Sequence, residues 1–243
     1  MKKILVLGDS ITFGHGCSDR QYYWDNQQNK YIGDSDFSGG ASQHCWAQHI
    51  QDDLNYSVTN LSKSGNNNTN MAWQCMQAVH ENNQHFDHII AAFSYDDRFE
   101  WAHPDSRDMV CASALHPPQL LLNKYPQWDQ AIGLFAAELY HPGWGIKLSH
   151  MALNTVANIA REIGAQFNWS APEFDRTNNS ATISPALRST QIPSMIKHFG
   201  LWHNGRMLTS ADTPHCAVDG HPSELAHKEY FQKVISPLFM PTK

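Results

Sequence analysis

Short apolar runs that favour β structure recur along the chain and end at turn-forming residues. Residues 3–7 form the first run, which stops at Gly8. A run of this kind is typical of a strand that is buried on both faces of a parallel sheet. The other strands that the pattern predicts cover residues 56–61, 88–93 and 165–169.

Between these runs, apolar residues recur at the spacing of amphipathic helices. Trp46, Ile50 and Leu54 are four residues apart and predict a helix over 46–54. The clearest helix runs from Leu148 to Gly164, where the glycine ends it. Further helices are predicted over 70–80, 129–140, 194–199 and from 222–223 to about 235.

Strands that alternate with helices at this spacing predict an α/β layered fold with a mainly parallel sheet. The length of 243 residues fits a single domain over 1–243. Residues 98–150 are interrupted by five prolines and are interpreted as an insertion or lid on that domain. Residues 18–40 are polar and predicted to be a long loop, and 171–215 are mostly loop. Sheets of this kind place their functional sites at the carboxyl ends of strands.

Composition removes several classes of protein. The chain has 17 Lys plus Arg and 23 Asp plus Glu, a formal charge of −6, which argues against a broadly basic nucleic-acid surface. No stretch approaches the roughly 18 apolar residues of a membrane span, and the first apolar run is too short for a signal peptide. The 5 cysteines are scattered without a CxxC pair, which favours reduced thiols and a cytoplasmic location over a disulfide framework or zinc site.

The first candidate for chemistry follows the first predicted strand, in the segment Gly8-Asp9-Ser10-Ile11-Thr12. A serine at a strand-to-helix turn exposes its hydroxyl at the sheet edge, and its backbone N–H points to where an oxyanion could sit. Gly-Asp-Ser is also ordinary turn chemistry, and Ser10 could simply cap a helix. The segment alone leaves both interpretations open.

The second candidate is Asp219-Gly220-His221-Pro222, just before the last predicted helix. A serine hydroxyl needs a base, usually histidine, and the imidazole needs an acceptor that orients it, usually a carboxylate. Asp219 lies two residues before His221, so one turn can present both side chains. Among 15 histidines an accidental Asp-x-His is common, and the segment could equally be a surface turn.

Taken together, the two segments resemble the SGNH/GDSL hydrolase family, and the order of the blocks covers nearly the whole chain. Residues 8–10 resemble its nucleophile block and 60–65, Asn-Leu-Ser-Lys-Ser-Gly, its second block. Asp219, His221 and Pro222 resemble the closing block, although the family commonly has Asp-x-x-His, one residue longer.

The resemblance implies a three-layer α/β/α, flavodoxin-like fold and a serine-dependent hydrolase of carboxylic esters. Ser10 would be the nucleophile, His221 the base and Asp219 the residue that orients it. The backbone N–H groups of Ser10 and Gly65 would form the oxyanion hole. Esterase, lipase and carbohydrate deacetylase activities all fit, so the expected partner is a small-molecule or carbohydrate ester, with no nucleic acid.

One block departs from the family. After the third strand the family usually has Gly-x-Asn-Asp, whose asparagine completes the oxyanion hole, but this chain has Phe-Ser-Tyr-Asp-Asp-Arg at 93–98. Asp96 cannot donate a hydrogen bond when ionised and would repel an oxyanion. A replacement donor could be Asn66, Asn67, Asn68 or Ser94; Asn68 is preferred, although the asparagines could merely build the turn.

The remaining candidates have plainer interpretations. Arg98 could hold a substrate carboxylate or pair with Glu100, and the ion pair is favoured. His15 and Cys17 could line the pocket but are interpreted as satisfied loop residues. The histidines of the last third show no zinc-site spacing and no phosphate loop is present, so neither metal nor cofactor is predicted.

Two other functions stay open. The altered third block favours a weakly active or inactive binding or structural module on the same fold. An FMN- or nucleotide-binding flavodoxin-like protein is disfavoured because the phosphate loop is missing.

Overall fold

The chain is described by a computed structural model over residues 1–20, 22–25, 30–33, 40–102, 109–113, 126–172, 183–203 and 205–240. The strands in those ranges are β1 (Lys3–Leu7), β2 (Tyr22–Asp25), β3 (Lys30–Gly33), β4 (Ser57–Asn60), β5 (His88–Ala92), β6 (Arg98–Ala102), β7 (Met109–Ser113), β8 (Gln166–Ser170), β9 (Trp202–His203) and β10 (Arg206–Met207).

The α-helices are α1 (Ser10–Phe13), α2 (Trp46–Leu54), α3 (Asn68–Met76), α4 (Pro126–Leu134), α5 (Pro142–Glu162), α6 (Pro185–Arg188), α7 (Met195–Phe199) and α8 (Glu224–Tyr230). Single π-helical turns extend three of them, at Gln77–Glu81, Phe135–Leu139 and Phe231–Ile235. Short 3-10 turns lie at Ser18–Arg20 and Ser236–Phe239.

The predicted strands form one parallel sheet in the order β4-β1-β5-β8. β1 pairs in parallel with β4 on one side and with β5 on the other, and β5 pairs with β8. All four carboxyl ends therefore lie at the same edge, where the segments after Leu7, Asn60, Ala92 and Ser170 meet. The prediction of an α/β fold with a mainly parallel sheet is confirmed.

Alternate residues of β1 enter two different cores. Ile4 and Val6 pack on one face with residues of α2 and α8, whereas Leu5 and Leu7 pack on the other with residues of α3 and α5. Because successive side chains of a strand point to opposite faces, an uninterrupted apolar run is what a sheet covered on both sides requires. The result is the expected three-layer α/β/α arrangement.

The differences from the sequence prediction lie outside the sheet. Residues 18–40 were predicted as loop, but β2 and β3 form an antiparallel hairpin there, as do β6 and β7 within 98–150. Hairpins are held by local main-chain pairing, which a search for apolar runs does not detect. That 98–150 is an insertion or lid, and that 1–243 is one domain, stay predictions.

The long helix α5 begins six residues earlier than predicted, inside the range assigned to the insertion. The His141 side chain accepts a hydrogen bond from the Gly143 N–H, and Pro142 stands at the first helical position, where its missing N–H costs nothing. Further along, Leu153 and Val156 of α5 are buried against the sheet. The end of 98–150 therefore belongs to the layer that covers the sheet.

Among the residues with described side chains, Cys17, Cys45, Cys75 and Cys216 are buried and free, in line with the predicted reduced thiols. Burial raises the pKa of Cys17 to about 12, so its thiol is a poor nucleophile. Within the described part of the chain, no helix has the length and apolar character needed to cross a bilayer.

Candidate active site

Ser10 lies where the chain leaves β1 and enters α1. Asp9 caps this helix, because its Oδ1 accepts a hydrogen bond from the Ile11 N–H at 3.0 Å, so Ser10 is the first helical residue. A Cβ at Gly8 would lie 2.3 Å from that of Thr12, so the tight strand-to-helix turn requires glycine there. The Ser10 side chain is thereby held at the carboxyl edge of the sheet.

The structure brings Ser10, His221 and Asp219 together from opposite ends of the chain. His221 Nε2 lies 3.1 Å from Ser10 Oγ, and His221 Nδ1 lies 3.2 Å from Asp219 Oδ2. The other carboxylate oxygen, Oδ1, accepts a hydrogen bond from the backbone N–H of His221 at 3.0 Å. The distances are those of a nucleophile, a base and an orienting carboxylate.

A tight turn presents both His221 and Asp219. Gly220 has a φ of +85°, a conformation that favours glycine, and the Ala217 N–H closes the turn on the His221 carbonyl at 2.7 Å. Directly afterwards Ser223 caps α8. This geometry lets a one-residue gap separate the carboxylate from the imidazole and still place both side chains side by side.

Asp219 remains ionised because two histidines face it. Burial alone would raise the pKa of this carboxyl group, but the imidazoles of His15 and His221 outweigh it and hold the pKa well below its usual range. A permanently ionised carboxylate accepts hydrogen bonds only, so it selects the proton-bearing nitrogen of each imidazole that faces it.

His15 also belongs to the cluster that contains Ser10, His221 and Asp219, although the sequence predicts only a satisfied loop residue at this position. Its ring stacks on that of His221 with centroids 4.1 Å apart and planes 2° apart. Its Nε2 lies 3.2 Å from Asp219 Oδ2, the oxygen that also faces His221. The only hint in the sequence was its position five residues after Ser10, between Gly14 and Gly16, which says nothing about a partner two hundred residues away.

His15, Asp219 and His221 also lie close enough together to be considered as a metal site. One nitrogen each from His15 and His221 and one oxygen of Asp219 lie within 4.8 Å of one another. An imidazole binds a metal ion in the plane of its ring, yet these two rings are parallel and stacked. Because no point lies in both ring planes, this arrangement does not fit a shared metal ion.

Stacking also explains the geometry around Asp219. Its Oδ2 is within ion-pair distance of both imidazoles, yet it is in line with neither N–H well enough to form a directional hydrogen bond. Two parallel rings cannot both direct an in-plane N–H at one oxygen. The carboxylate is therefore shared between the two histidines, whose ring nitrogens lie close to it without an aligned hydrogen bond.

Gly65 lies in a loop that is tied to the residue before the Asp9 cap. The Lys63 N–H and the Asn66 side-chain amide both donate to the Gly8 carbonyl, at 3.2 and 3.0 Å. Gly65 has a φ of +76°, which favours glycine. Within the described ranges, the backbone N–H groups of Ser10 and Gly65 donate to no protein acceptor, so both are available to a ligand.

Two of the three asparagines after Gly65 have both amide hydrogens engaged. Those of Asn68 are donated to the Ser94 carbonyl at 3.1 Å and to Ser149 Oγ at 2.7 Å, and its oxygen accepts from the Ser94 N–H. Asn66 donates to Gln74 as well as to Gly8. Asn67 caps α3 through its oxygen, whereas its buried amide nitrogen has no hydrogen-bond partner among the described residues. An oxyanion would have to displace an existing partner of Asn68 to be bound by it.

Asp9 joins the nucleophile to the segment after β5. Its Oδ2 accepts hydrogen bonds from Ser94 Oγ at 2.7 Å and from Arg98 Nη1 at 3.3 Å. Arg98 also donates to the Asn66 carbonyl at 3.3 Å. Sequence analysis favoured an ion pair of Arg98 with Glu100, whose side chain lies outside the described part; the pair that the structure contains is with Asp9.

A third histidine, His227, lies fully buried behind the cluster. Its Nδ1 accepts a hydrogen bond from the Trp46 N–H at 3.2 Å. Burial, followed by the nearby His49 and His221, lowers its pKa to about 3. His227 is therefore neutral at physiological pH.

No protein-family model matches this sequence, and no curated protein matches it. Among solved structures, the chain is similar to a psychrotrophic esterase, EstA, from Pseudoalteromonas sp., at 12% identity and a TM-score of 0.48, over 98% of this chain and 99% of that one. A G-D-S-L family protein from Desulfitobacterium hafniense has 10% identity and a TM-score of 0.47, over 96% and 97% of the two chains.

An acetyl xylan esterase from the rumen bacterium Butyrivibrio proteoclasticus has 13% identity and a TM-score of 0.49, over 98% of this chain but 63% of its own length. Two of these three solved structures are esterases by name, and the third is named as a protein of the G-D-S-L family, which the sequence motifs resemble.

Proposed function

We propose that this protein hydrolyses carboxylic esters, with Ser10 as nucleophile, His221 as general base and acid, and Asp219 as the residue that orients His221. One observation carries the proposal: Ser10 Oγ lies 3.1 Å from His221 Nε2. A hydroxyl paired with an imidazole, whose other nitrogen faces a partly buried, ionised carboxylate, is the arrangement of an activated serine.

The reaction follows from these contacts. His221 Nε2 takes the Ser10 proton as Oγ bonds to the acyl carbon, and the carbonyl oxygen becomes an oxyanion. Asp219 stabilises the imidazolium that forms. His221 then passes the proton to the leaving alcohol oxygen as the C–O bond breaks, which leaves an acyl-serine and a free alcohol. In the second half, a water molecule gives a proton to His221 as its oxygen bonds to the acyl carbon. His221 then passes that proton to Ser10 Oγ as the acyl–Oγ bond breaks, which releases the carboxylic acid and restores the serine.

The oxyanion hole in this proposal consists of the backbone N–H groups of Ser10 and Gly65. Asn68, which the sequence analysis preferred as a third donor, has both amide hydrogens engaged and is not included. Removal of one such donor typically lowers kcat by roughly 10²–10³-fold. We therefore expect a slow esterase, unless the substrate itself completes the hole.

The proposed substrate class is a small-molecule or carbohydrate ester, as in an esterase or a carbohydrate deacetylase. Hydrolysis of p-nitrophenyl acetate tests the chemistry, and a panel of acetylated sugars tests the alcohol part. We expect Ser10→Ala and His221→Gln to lower kcat by more than about 10³-fold.

The matched control is His80→Gln, which changes an exposed histidine beside Glu162 and should leave the rate unchanged. If the wild type and Ser10→Ala turn over equally slowly, the esterase proposal is wrong and the chain is an inactive binding or structural module. A fluorophosphonate that labels the wild type and fails to label Ser10→Ala would support an activated serine without reference to any ester.

A further inference from the structure

His15 sits between the proposed triad and the loop that carries Gly65. It is buried, and its backbone N–H donates to the Ser10 carbonyl at 3.0 Å, which fixes it to the nucleophile helix. The loop around it packs closely against the opposite end of the chain, since a Cβ at Gly16 would lie 2.9 Å from the Cβ of His221. Position and backbone of His15 are therefore set by the same elements that set the triad.

The two ring nitrogens of His15 face different groups. Nε2 is 3.2 Å from Asp219 Oδ2, and Nδ1 is 3.4 Å from the hydroxyl of Ser64, the residue before Gly65. Because the carboxylate can only accept, an attractive contact requires the proton of a neutral His15 on Nε2. Nδ1 can then accept a hydrogen bond from the Ser64 hydroxyl. His15 thus connects the acid of the triad to the oxyanion-hole loop.

Asp219 has few other means of holding its orientation. One oxygen is fixed by the His221 backbone, but Oδ2 lies beside the edges of two stacked rings, 3.2 Å from a nitrogen of each, and receives no well-aligned hydrogen bond from either. Its position therefore depends on the polar ring nitrogens of both histidines. If the His15 imidazole were removed, the Asp219 carboxylate could rotate away from His221 Nδ1.

We infer that His15 is a positioning residue: it donates its Nε2 proton toward Asp219 Oδ2, holds that carboxylate against His221 and so supports proton transfer from Ser10. This inference rests on the proposed function. It goes beyond the three-residue triad, because a second histidine shares the carboxylate. The inference predicts that a side-chain N–H donor at position 15 matters more for kcat than an aromatic ring at that position.

Two variants separate these properties. His15→Gln keeps an N–H the same number of bonds from Cβ as Nε2 but loses the ring, whereas His15→Phe keeps a ring that can stack on His221 and loses the donor. Since His15→Phe removes the polar N–H that faces the charged carboxylate, we expect it to lower kcat for p-nitrophenyl acetate about tenfold. KM should stay within about twofold.

His15→Gln should recover kcat to within about threefold of the wild type. Equal kcat for His15→Phe and the wild type would overturn the inference, as would a kcat for His15→Gln as low as that of His15→Phe. A circular-dichroism melt of each variant identifies misfolding, in which case the Gln and Phe variants fail together and their melts differ from the wild type.

A measurement without turnover keeps this inference separate from the proposed function. In protein labelled with ¹⁵N-histidine, the His15 ring signals are assigned by their loss in His15→Gln. In the neutral form of the ring, we expect the proton on Nε2. A proton on Nδ1 would refute the contact with Asp219. Equal rates for the wild type and Ser10→Ala would refute the esterase proposal and leave the tautomer result standing.

Discussion

The carboxyl ends of β1 and β5 lie side by side in the sheet but carry different kinds of polar group. After β1, Ser10 meets His221, and behind that pair Asp219 is shared with His15. After β5, the segment 93–98 lacks the asparagine donor that the resemblance leads one to expect, and the amide of Asn68 is used to hold the segment itself.

In the proposed mechanism, activation of the serine and stabilisation of the oxyanion are built by separate parts of the fold. The first depends on two segments about two hundred residues apart, which bring Ser10, His221 and Asp219 close together. The second depends on the loop after β4 and the segment after β5, where, among the described residues, the backbone N–H of Gly65 and the unpaired Asn67 amide remain available as donors. The two regions should therefore respond differently to substitution.

The largest expected effect is at the β1 edge. Asp219→Asn should lower kcat about 10⁴-fold, because an amide in place of the carboxylate favours the wrong tautomer of His221 and does not stabilise its charged form. KM for p-nitrophenyl acetate should change little. Asp212→Asn is the matched control, since Asp212 pairs with Arg206 on the surface. A loss of less than about tenfold in Asp219→Asn would mean that His221 is oriented by another group.

Acidification should lower the free energy of unfolding, because His227, which is buried behind the β1 edge, has a lowered pKa in the folded protein. The pKa of His227 is about 3 when folded and about 6.5 when unfolded, so the unfolded chain binds more protons between those values. Stability is then complete above pH 6.5 and is lost as the pH falls towards 3. Urea unfolding should show the free energy of unfolding falling by about 3 kcal/mol from pH 6.5 to 4 because of His227.

Other groups act in the same range and must be separated. Burial also lowers the pKa of His88, to about 4, so the wild type carries both contributions. His227→Asn keeps an acceptor for the Trp46 N–H and removes the titrating ring, so its free energy should depend less on pH. His80→Asn, at an exposed position, should leave the profile unchanged. An identical profile for His227→Asn and the wild type would contradict the prediction.

At the β5 edge, Asn68→Ala should act on stability rather than on turnover. The substitution leaves the buried Ser94 N–H and carbonyl without their partner, which costs about 2–3 kcal/mol in free energy of unfolding. The kcat of the folded variant should stay within about threefold. Asn154→Ala, on the exposed face of α5, is the control. A loss of kcat near 10²-fold with normal stability would instead make Asn68 an oxyanion donor.

The parts that the sequence could predict are those with a local pattern. Strand β1 is an uninterrupted apolar run, which indicates a strand that is buried on both faces of the sheet. Ser10, His221 and Asp219 lie in motifs that can be recognised without a structure. The contacts of His15 and Asn68 could not be predicted, because they depend on which distant residues arrive beside them. Ser149, which accepts a hydrogen bond from Asn68, is 81 residues away from it in the sequence. Asp219, which faces His15, lies near the other end of the chain.

The smallest effect expected is a gain at the β5 edge. Asp96 occupies the segment in which the family has its asparagine, and an ionised carboxylate there opposes an oxyanion. Asp96→Asn removes that charge and supplies a neutral donor, so we expect kcat for p-nitrophenyl acetate to rise about tenfold, with KM unchanged. Asp97→Asn, one residue further along, removes the same charge from a neighbouring position. An equal gain from both variants would point to a general charge effect, and no gain from Asp96→Asn would mean that position 96 does not face the oxyanion. A gain confined to Asp96→Asn would show that the β5 edge limits turnover while the triad beside it does not.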